Sequence, residues 1–190
     1  EALDRAISID PLFLFPGHGI WLQGKRDIIV RGGGYRDAIR YVHDETVKGM
    51  NAGKDRYTLM NEIKLPPEYD FIDQTYGTVK WSVRGIYEGY AGWFDEKPSS
   101  MYELPLSSIG GDMISLAGVG NAIELARSYL EKKDYIRGLH LTGMILAAEP
   151  GLAEAVDIEK AILKCLKSNS VNYIETIWLN YWLSQTGSGR

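Results

Sequence analysis

The chain has 190 residues, 45% of them hydrophobic and 24% charged, enough apolar matter to bury a sizeable core and too much for a disordered segment. Its formal net charge of −4, with no run of Lys and Arg, argues against a nucleic-acid partner. No apolar stretch reaches the roughly 18 residues that span a bilayer, and Cys165, the single cysteine, rules out an intrachain disulfide.

Glu1-Ala2-Leu3-Asp4-Arg5-Ala6-Ile7 reads as a helix already under way. Leu12-Phe13-Leu14-Phe15, bounded by Pro11 and Pro16, is too short for a helix and predicts a buried core strand. It runs into Pro16-Gly17-His18-Gly19, where glycines allow a sharp turn and present one imidazole at the strand end. Residues 16–26 read as a glycine-rich loop, so the first 26 residues look like the last αβ unit of something larger.

From about 36 to 51 the period becomes helical, with Ile39, Val42, Thr46 and Met50 near one face and Asn51-Ala52-Gly53 as the stop. Gly32-Gly33-Gly34 just before it predicts a break or kink, because glycine costs a helix interior roughly 1 kcal/mol relative to alanine. A short helix over 55–63 is stopped by Leu65-Pro66-Pro67, and an aromatic segment from Gly77 to Phe94 reads as another helical element. Asp95 to Ser108 is a loop rich in Pro, Ser and Glu.

Beyond it, Ala122, Leu125, Ala126 and Tyr129 mark an amphipathic helix. Lys132-Lys133-Asp134-Tyr135 turns the chain into a second helix, which runs to Ala148 and ends at Glu149-Pro150-Gly151. Helices over 152–167 and about 172–184 follow, the last with Ile174, Ile177, Trp178, Tyr181 and Trp182 on one side. The pair that turns at Lys-Lys-Asp-Tyr resembles one tetratricopeptide-like unit. The fold class is mainly α, preceded by a short αβ unit.

Few residue patterns carry chemistry. Gly19 to Arg26 nearly spells a phosphate-binding loop, but Arg26 stands where a Ser or Thr hydroxyl must hold magnesium, so a nucleotide site is not expected. His18 is either a metal ligand on a strand-end loop or the cap of a turn; alone it cannot hold a metal, since a catalytic zinc takes about three protein ligands. His43 and Asp44, adjacent on a helix, point about 100° apart and do not naturally meet, which favours a structural histidine. His140 reads as a packing or surface residue and Cys165 as a small buried hydrophobe.

Tyr76-Gly77-Thr78-Val79-Lys80-Trp81-Ser82-Val83-Arg84 packs a phenol, hydroxyls and two cations together. Arg84 suits either a tetrahedral anion, gripped by its planar fork, or a salt bridge. Trp81, Tyr87, Tyr90, Trp93 and Phe94 read as core or subunit contacts.

In order, Pro16-Gly17-His18-Gly19, Tyr35-Arg36-Asp37-Ala38-Ile39, Val42-His43-Asp44-Glu45-Thr46-Val47, Leu65-Pro66-Pro67, Tyr76-Gly77-Thr78-Val79, Ile86-Tyr87 and Gly92-Trp93-Phe94-Asp95 resemble the alkyl sulfatases of the metallo-β-lactamase superfamily. The resemblance implies that residues 1–26 close a metallo-β-lactamase-like catalytic domain and 27–186 form an all-helical dimerisation domain, in parts 27–98 and 106–186, with 187–190 as a tail.

Such enzymes bind two zinc ions and hydrolyse sulfate esters of alkyl alcohols with a metal-activated water. By the resemblance His18 is the last zinc ligand, Tyr76 a contact at the sulfate or its leaving oxygen, and Arg84 a contact to the substrate. A homodimer through the helices is implied too, with a periplasmic or secreted location whose signal would lie upstream of Glu1.

Some family members carry histidine at the position of Tyr76, and a phenol with a pKa of about 10 is a weaker acid than imidazolium. Trp81-Ser82 stands where His-Asn is frequent, and the H-x-H-x-D-H ligand cluster and a carboxy-terminal lipid-transfer-like domain are not in the chain. The expectation is a fragment of a zinc-dependent alkyl sulfatase, inactive alone. A non-catalytic helical interaction module, or a superfamily hydrolase acting on a different ester, are the alternatives.

Overall fold

The computed structural model describes residues 1–17, 19–94, 97–102 and 104–186, with Leu106 and Ser107 described by their backbone only. The chain forms two compact units, Glu1–Asp95 and Glu96–Arg190.

In the first unit, α1 (Ala2–Ser8) is followed by β1 (Phe13–Leu14) and β2 (Leu22–Gln23), an antiparallel ribbon in which Phe13 faces Gln23 and Leu14 faces Leu22. The expected buried strand is therefore corrected: Phe13 and Phe15 are 47% and 72% exposed, and Leu12 is exposed as well. A ribbon of two strands has no further layer to cover its outer face. Its aromatic side chains turn to each other instead, with Trp21 ring centroids 5.9 Å from both Phe13 and Phe15.

The helical run that follows passes through the three glycines without breaking. α2 (Lys25–Asp27) continues into a single π-turn, Ile28–Gly32, and then into α3 (Gly33–Asn51). The expected break is absent, and the irregularity at this point is the π-turn ending at Gly32; a Cβ on Gly34 would stand 2.7 Å from Cζ of Phe71, so the absent side chain makes room for that ring. Ion pairs from Asp4 to Arg36 at 3.2 Å and Arg40 at 2.7 Å tie α1 to α3.

α3 stops as expected, at Gly53 with a φ of +75°, its amide donating to the Met50 carbonyl at 2.9 Å. α4 (Arg56–Glu62) starts at Asp55, whose carboxylate accepts from the amides of Tyr57 and Thr58 at 2.8 and 3.0 Å. α5 (Val79–Ala91) starts at Thr78, whose hydroxyl accepts from the Trp81 amide at 3.1 Å. Val42, Leu59, Ile63 and Val83, all buried, hold α3, α4 and α5 together.

The second unit opens on α6 (Leu106–Ala117), a helix the sequence reading left unassigned beyond its loop. α7 (Val119–Glu131) and α8 (Tyr135–Ala148) form the expected antiparallel pair, turning through Lys133 in the left-handed region at a φ of +60°. The buried face of α7 is Ala122, Ile123 and Ala126; Leu125, read as part of it, is 46% exposed. α9 (Ala153–Asn169) packs on α8 where Gly138 lets Ile162 approach, since a Cβ there would lie 2.7 Å from its Cδ1. α10 (Tyr173–Gln185) buries Leu179 against this unit and leaves Ile177, Trp178 and Tyr181 exposed.

Candidate functional site

A cavity of about 570 Å³ opens in the first unit, within the size range of small-molecule sites. Its walls are apolar, with Leu14 and Leu22 from the ribbon, Ala38, Ile39 and Val42 from α3, and Ile86 from α5. Polar groups come from the segment before α5 and its first turn: Asp73, Thr75, Tyr76, Thr78 and Ser82. Pro16 and Gly19, the neighbours of Gly17-His18, line it as well.

This segment has a local physical reason for its shape. Asp73 accepts from the Thr75 hydroxyl at 2.6 Å and from its amide at 3.3 Å, which folds the chain into a tight turn and holds the Asp73 carboxyl below the usual carboxylate range. Gln74 then caps α5 by accepting from the Val79 amide at 2.9 Å. Tyr76 is carried between these anchors, half exposed at the cavity.

The other candidates fall in different places. His18 lies outside the described residues. Arg84 is not on the cavity wall; its Nε donates to Glu88 Oε1 at 2.9 Å, and Arg56 reaches the same oxygen at 2.6 Å. The two guanidiniums, Arg84 first, hold the Glu88 carboxyl below its ordinary range.

His43 and Asp44 do meet, against expectation: Nδ1 lies 2.8 Å from Asp44 Oδ1, while Nε2 lies 2.7 Å from the Tyr90 hydroxyl. The ring thereby bridges α3 to α5 at the surface, and side-chain rotation closes the angular gap between adjacent helix positions. Lys25, the cation of the phosphate-loop-like stretch, pairs with Asp10. His140 is exposed on α8. Cys165 is a free, half-buried thiol whose hydrogen bond with Tyr135 pushes the phenol's pKa up.

Sequence reasoning missed the apolar cavity and the turn at Asp73. The Asp-Gln-Thr triplet was a legible turn signal; the cavity walls, drawn from segments more than 60 residues apart, left no local pattern. Among the described residues no group of three or more His, Cys, Asp or Glu side chains is placed to hold a metal ion. Among them, too, no helix is long and apolar enough to cross a membrane.

The fold is shared with known enzymes. Over 97–98% of this chain, and 30% of theirs, it matches structures of the stereoselective inverting sec-alkylsulfatase Pisa1 from Pseudomonas sp. and of a double mutant of that enzyme, with a TM-score of 0.88 and 20% identity. In sequence it is 31% identical over 188 residues to a linear primary-alkylsulfatase of Pseudomonas sp., covering 96% of this chain and 35% of that protein. An alkyl/aryl-sulfatase of Saccharomyces cerevisiae is 28% identical over 106 residues, 54% of this chain and 16% of its own length.

The chain thus spans about a third or less of the length of the curated relatives it matches. Residues 57–188, which run from α4 through α10, match the family described as Alkyl sulfatase dimerisation, and with that match over most of its length the chain belongs to this family.

Proposed function

We propose that this chain is the dimerisation portion of a zinc-dependent alkyl sulfatase, a sulfuric ester hydrolase that acts as a homodimer. The observation that carries the reading is the apolar cavity, which has Tyr76 on its wall and is bordered by the loop bearing His18 through Pro16 and Gly19. An alkyl chain is the substrate part that such walls would take from water, since burial of each methylene contributes about 0.8 kcal/mol.

The described residues do not make a metal centre of their own. In this reading His18 is one zinc ligand, and the remaining donors lie in the part of the parent protein that the chain does not span. Tyr76 contacts the sulfate or its leaving oxygen. Arg84 reaches the substrate only by giving up Glu88, to which it is bonded. A periplasmic or secreted location belongs to the same proposal.

The test is release of inorganic sulfate from dodecyl sulfate by the zinc-loaded full-length protein. Turnover is expected, with His18→Ala reducing it by about 100-fold or more, as loss of even supporting groups around a metal costs 10–100-fold. No release from any alkyl sulfate overturns the reading, and hydrolysis of another ester in its place makes the protein a superfamily hydrolase of different specificity. The 190-residue chain alone is expected to be inactive, and appreciable turnover by it contradicts the fragment reading.

A further inference from the structure

Among the described residues the cavity wall carries one Lys or Arg side chain, Arg31, among apolar side chains and hydroxyls. Arg31 is exposed, and among the described residues it makes no ion pair or side-chain hydrogen bond. Arg5, Arg26, Lys64 and Lys80 of the same unit form no ion pair among the described residues either, and what sets Arg31 apart from them is its place on the cavity wall. Arg36 and Arg40 are engaged by Asp4 and Asp37, Arg56 and Arg84 by Glu88, and Lys25 by Asp10. A guanidinium offers five donors in a fixed fork, matched to planar or tetrahedral oxyanions.

The backbone around Arg31 is also unusual. It lies in the π-turn Ile28–Gly32, whose wider winding shifts the residues before α3 around the helix axis relative to a plain α-helix. Without that turn, position 31 would fall elsewhere on the circumference of the helix. The carboxylate on the same wall, Asp73, is turned inward on the amide and hydroxyl of Thr75 and forms no ion pair with Arg31.

We propose that Arg31 is the head-group anchor of this cavity, so that its ligand is a single-chain amphiphile with an anionic oxyanion head at Arg31 and its hydrocarbon tail against Leu14, Ile39, Val42 and Ile86. The inference rests on the alkyl-sulfate reading for the substrate class, and it adds Arg31 as the group that holds the anionic head. Arg31 is a specificity-determining residue here, with no part in bond cleavage.

The experiment is calorimetric titration of the full-length protein with dodecyl sulfonate, whose carbon–sulfur bond resists hydrolysis, and with uncharged dodecanol, both below their aggregation limits. The variants are Arg31→Gln, Arg31→Lys and Lys48→Gln. Arg31→Gln is expected to weaken sulfonate binding about tenfold, as loss of a charge-assisted contact does at an exposed site, with dodecanol affinity unchanged. Arg31→Lys should retain most sulfonate affinity, and Lys48→Gln, which removes an exposed cation off the cavity wall, should leave it intact.

Unchanged sulfonate affinity in Arg31→Gln overturns the proposal, as does an equal loss for dodecanol, which marks a packing defect. Failure of the wild-type protein to bind either probe overturns it too. Its fate separates from that of the sulfatase reading: an Arg31-dependent sulfonate affinity without sulfate release leaves the anchor standing and removes the activity, whereas sulfate release with a KM indifferent to Arg31 does the reverse.

Discussion

Glu88 shows how a single carboxylate organises one face of the first unit. Arg84 binds it from one turn back on α5 and Arg56 from α4, and no more than about a third of the Glu88 side chain is exposed. Because folding lowers this carboxyl's pKa, the bridge contributes fully above the ordinary glutamate range, and the contribution is lost as pH falls through the lower folded value. Glu88→Gln is therefore expected to lower the urea midpoint at pH 7, by an amount that shrinks as the pH is taken down through the carboxylate range. A difference that stays constant down to strongly acid pH would mean the bridge is not its source. The sequence offered Arg84 two roles, an anion contact or a salt bridge; its partner Glu88, one helical turn on along α5, is a pairing that helical spacing allows, whereas Arg56, which reaches the same carboxylate from α4, lies 28 residues from Arg84 and left no mark in the local pattern. Tyr76 was legible because a dense cluster of polar residues surrounds it. The pairing of His43 with Asp44 was not, since helix geometry fixes the directions of Cβ atoms and leaves side-chain rotation open.

Among the elements, the long periodic helices were readable and the irregular ones were not. α8 and α9 follow their apolar spacing, and Glu149-Pro150-Gly151 ends α8 as its residues dictate, whereas α10 stands where the sequence puts it but buries Leu179 and leaves the expected stripe from Ile174 to Trp182 exposed. α6 was hidden by Ser107, Ser108 and the Gly110-Gly111 pair, poor helix formers whose placement is decided by packing of Ile114 into the core of the second unit. The glycines where α3 begins misled in the opposite direction: Gly34, the third of them, is followed by helix, and Phe71 fills the space its missing side chain leaves. α10 depends on its cap. Asn172, 3% exposed, accepts from the Glu175 amide at 2.9 Å, and its carbonyl takes the Thr176 hydroxyl at 2.8 Å. Asn172→Ala should cost about 1 kcal/mol from the lost cap, read as a lower denaturation midpoint with α10 amides exchanging first. Unaltered exchange in α10 would show that packing of Leu179 alone suffices.

At the scale of the whole molecule, the second unit keeps more apolar surface than a lone domain needs. Ile109, Met113 and Leu116 stand exposed along α6, and Ile177, Trp178 and Tyr181 along α10, where Trp178 and Tyr181 meet edge to face at 5.7 Å. Contiguous apolar patches of this kind mark contact surfaces, and aromatic anchors dominate their energetics. With the homodimer proposed above, Ile177→Glu combined with Trp178→Glu should give a monomer by sedimentation at micromolar concentration, with helix content retained. A dimer that survives both charges places the interface elsewhere. The π-turn at Ile28–Gly32 has an effect of a different kind. It is one residue longer than the α-turn it interrupts, so losing a single codon there would leave a regular helix while swinging the preceding ribbon by about 100° around it. Divergence at this spot would rotate Pro16 and Gly19 away from the cavity wall without altering either residue, which makes chain length rather than side-chain identity the quantity that descent has to preserve.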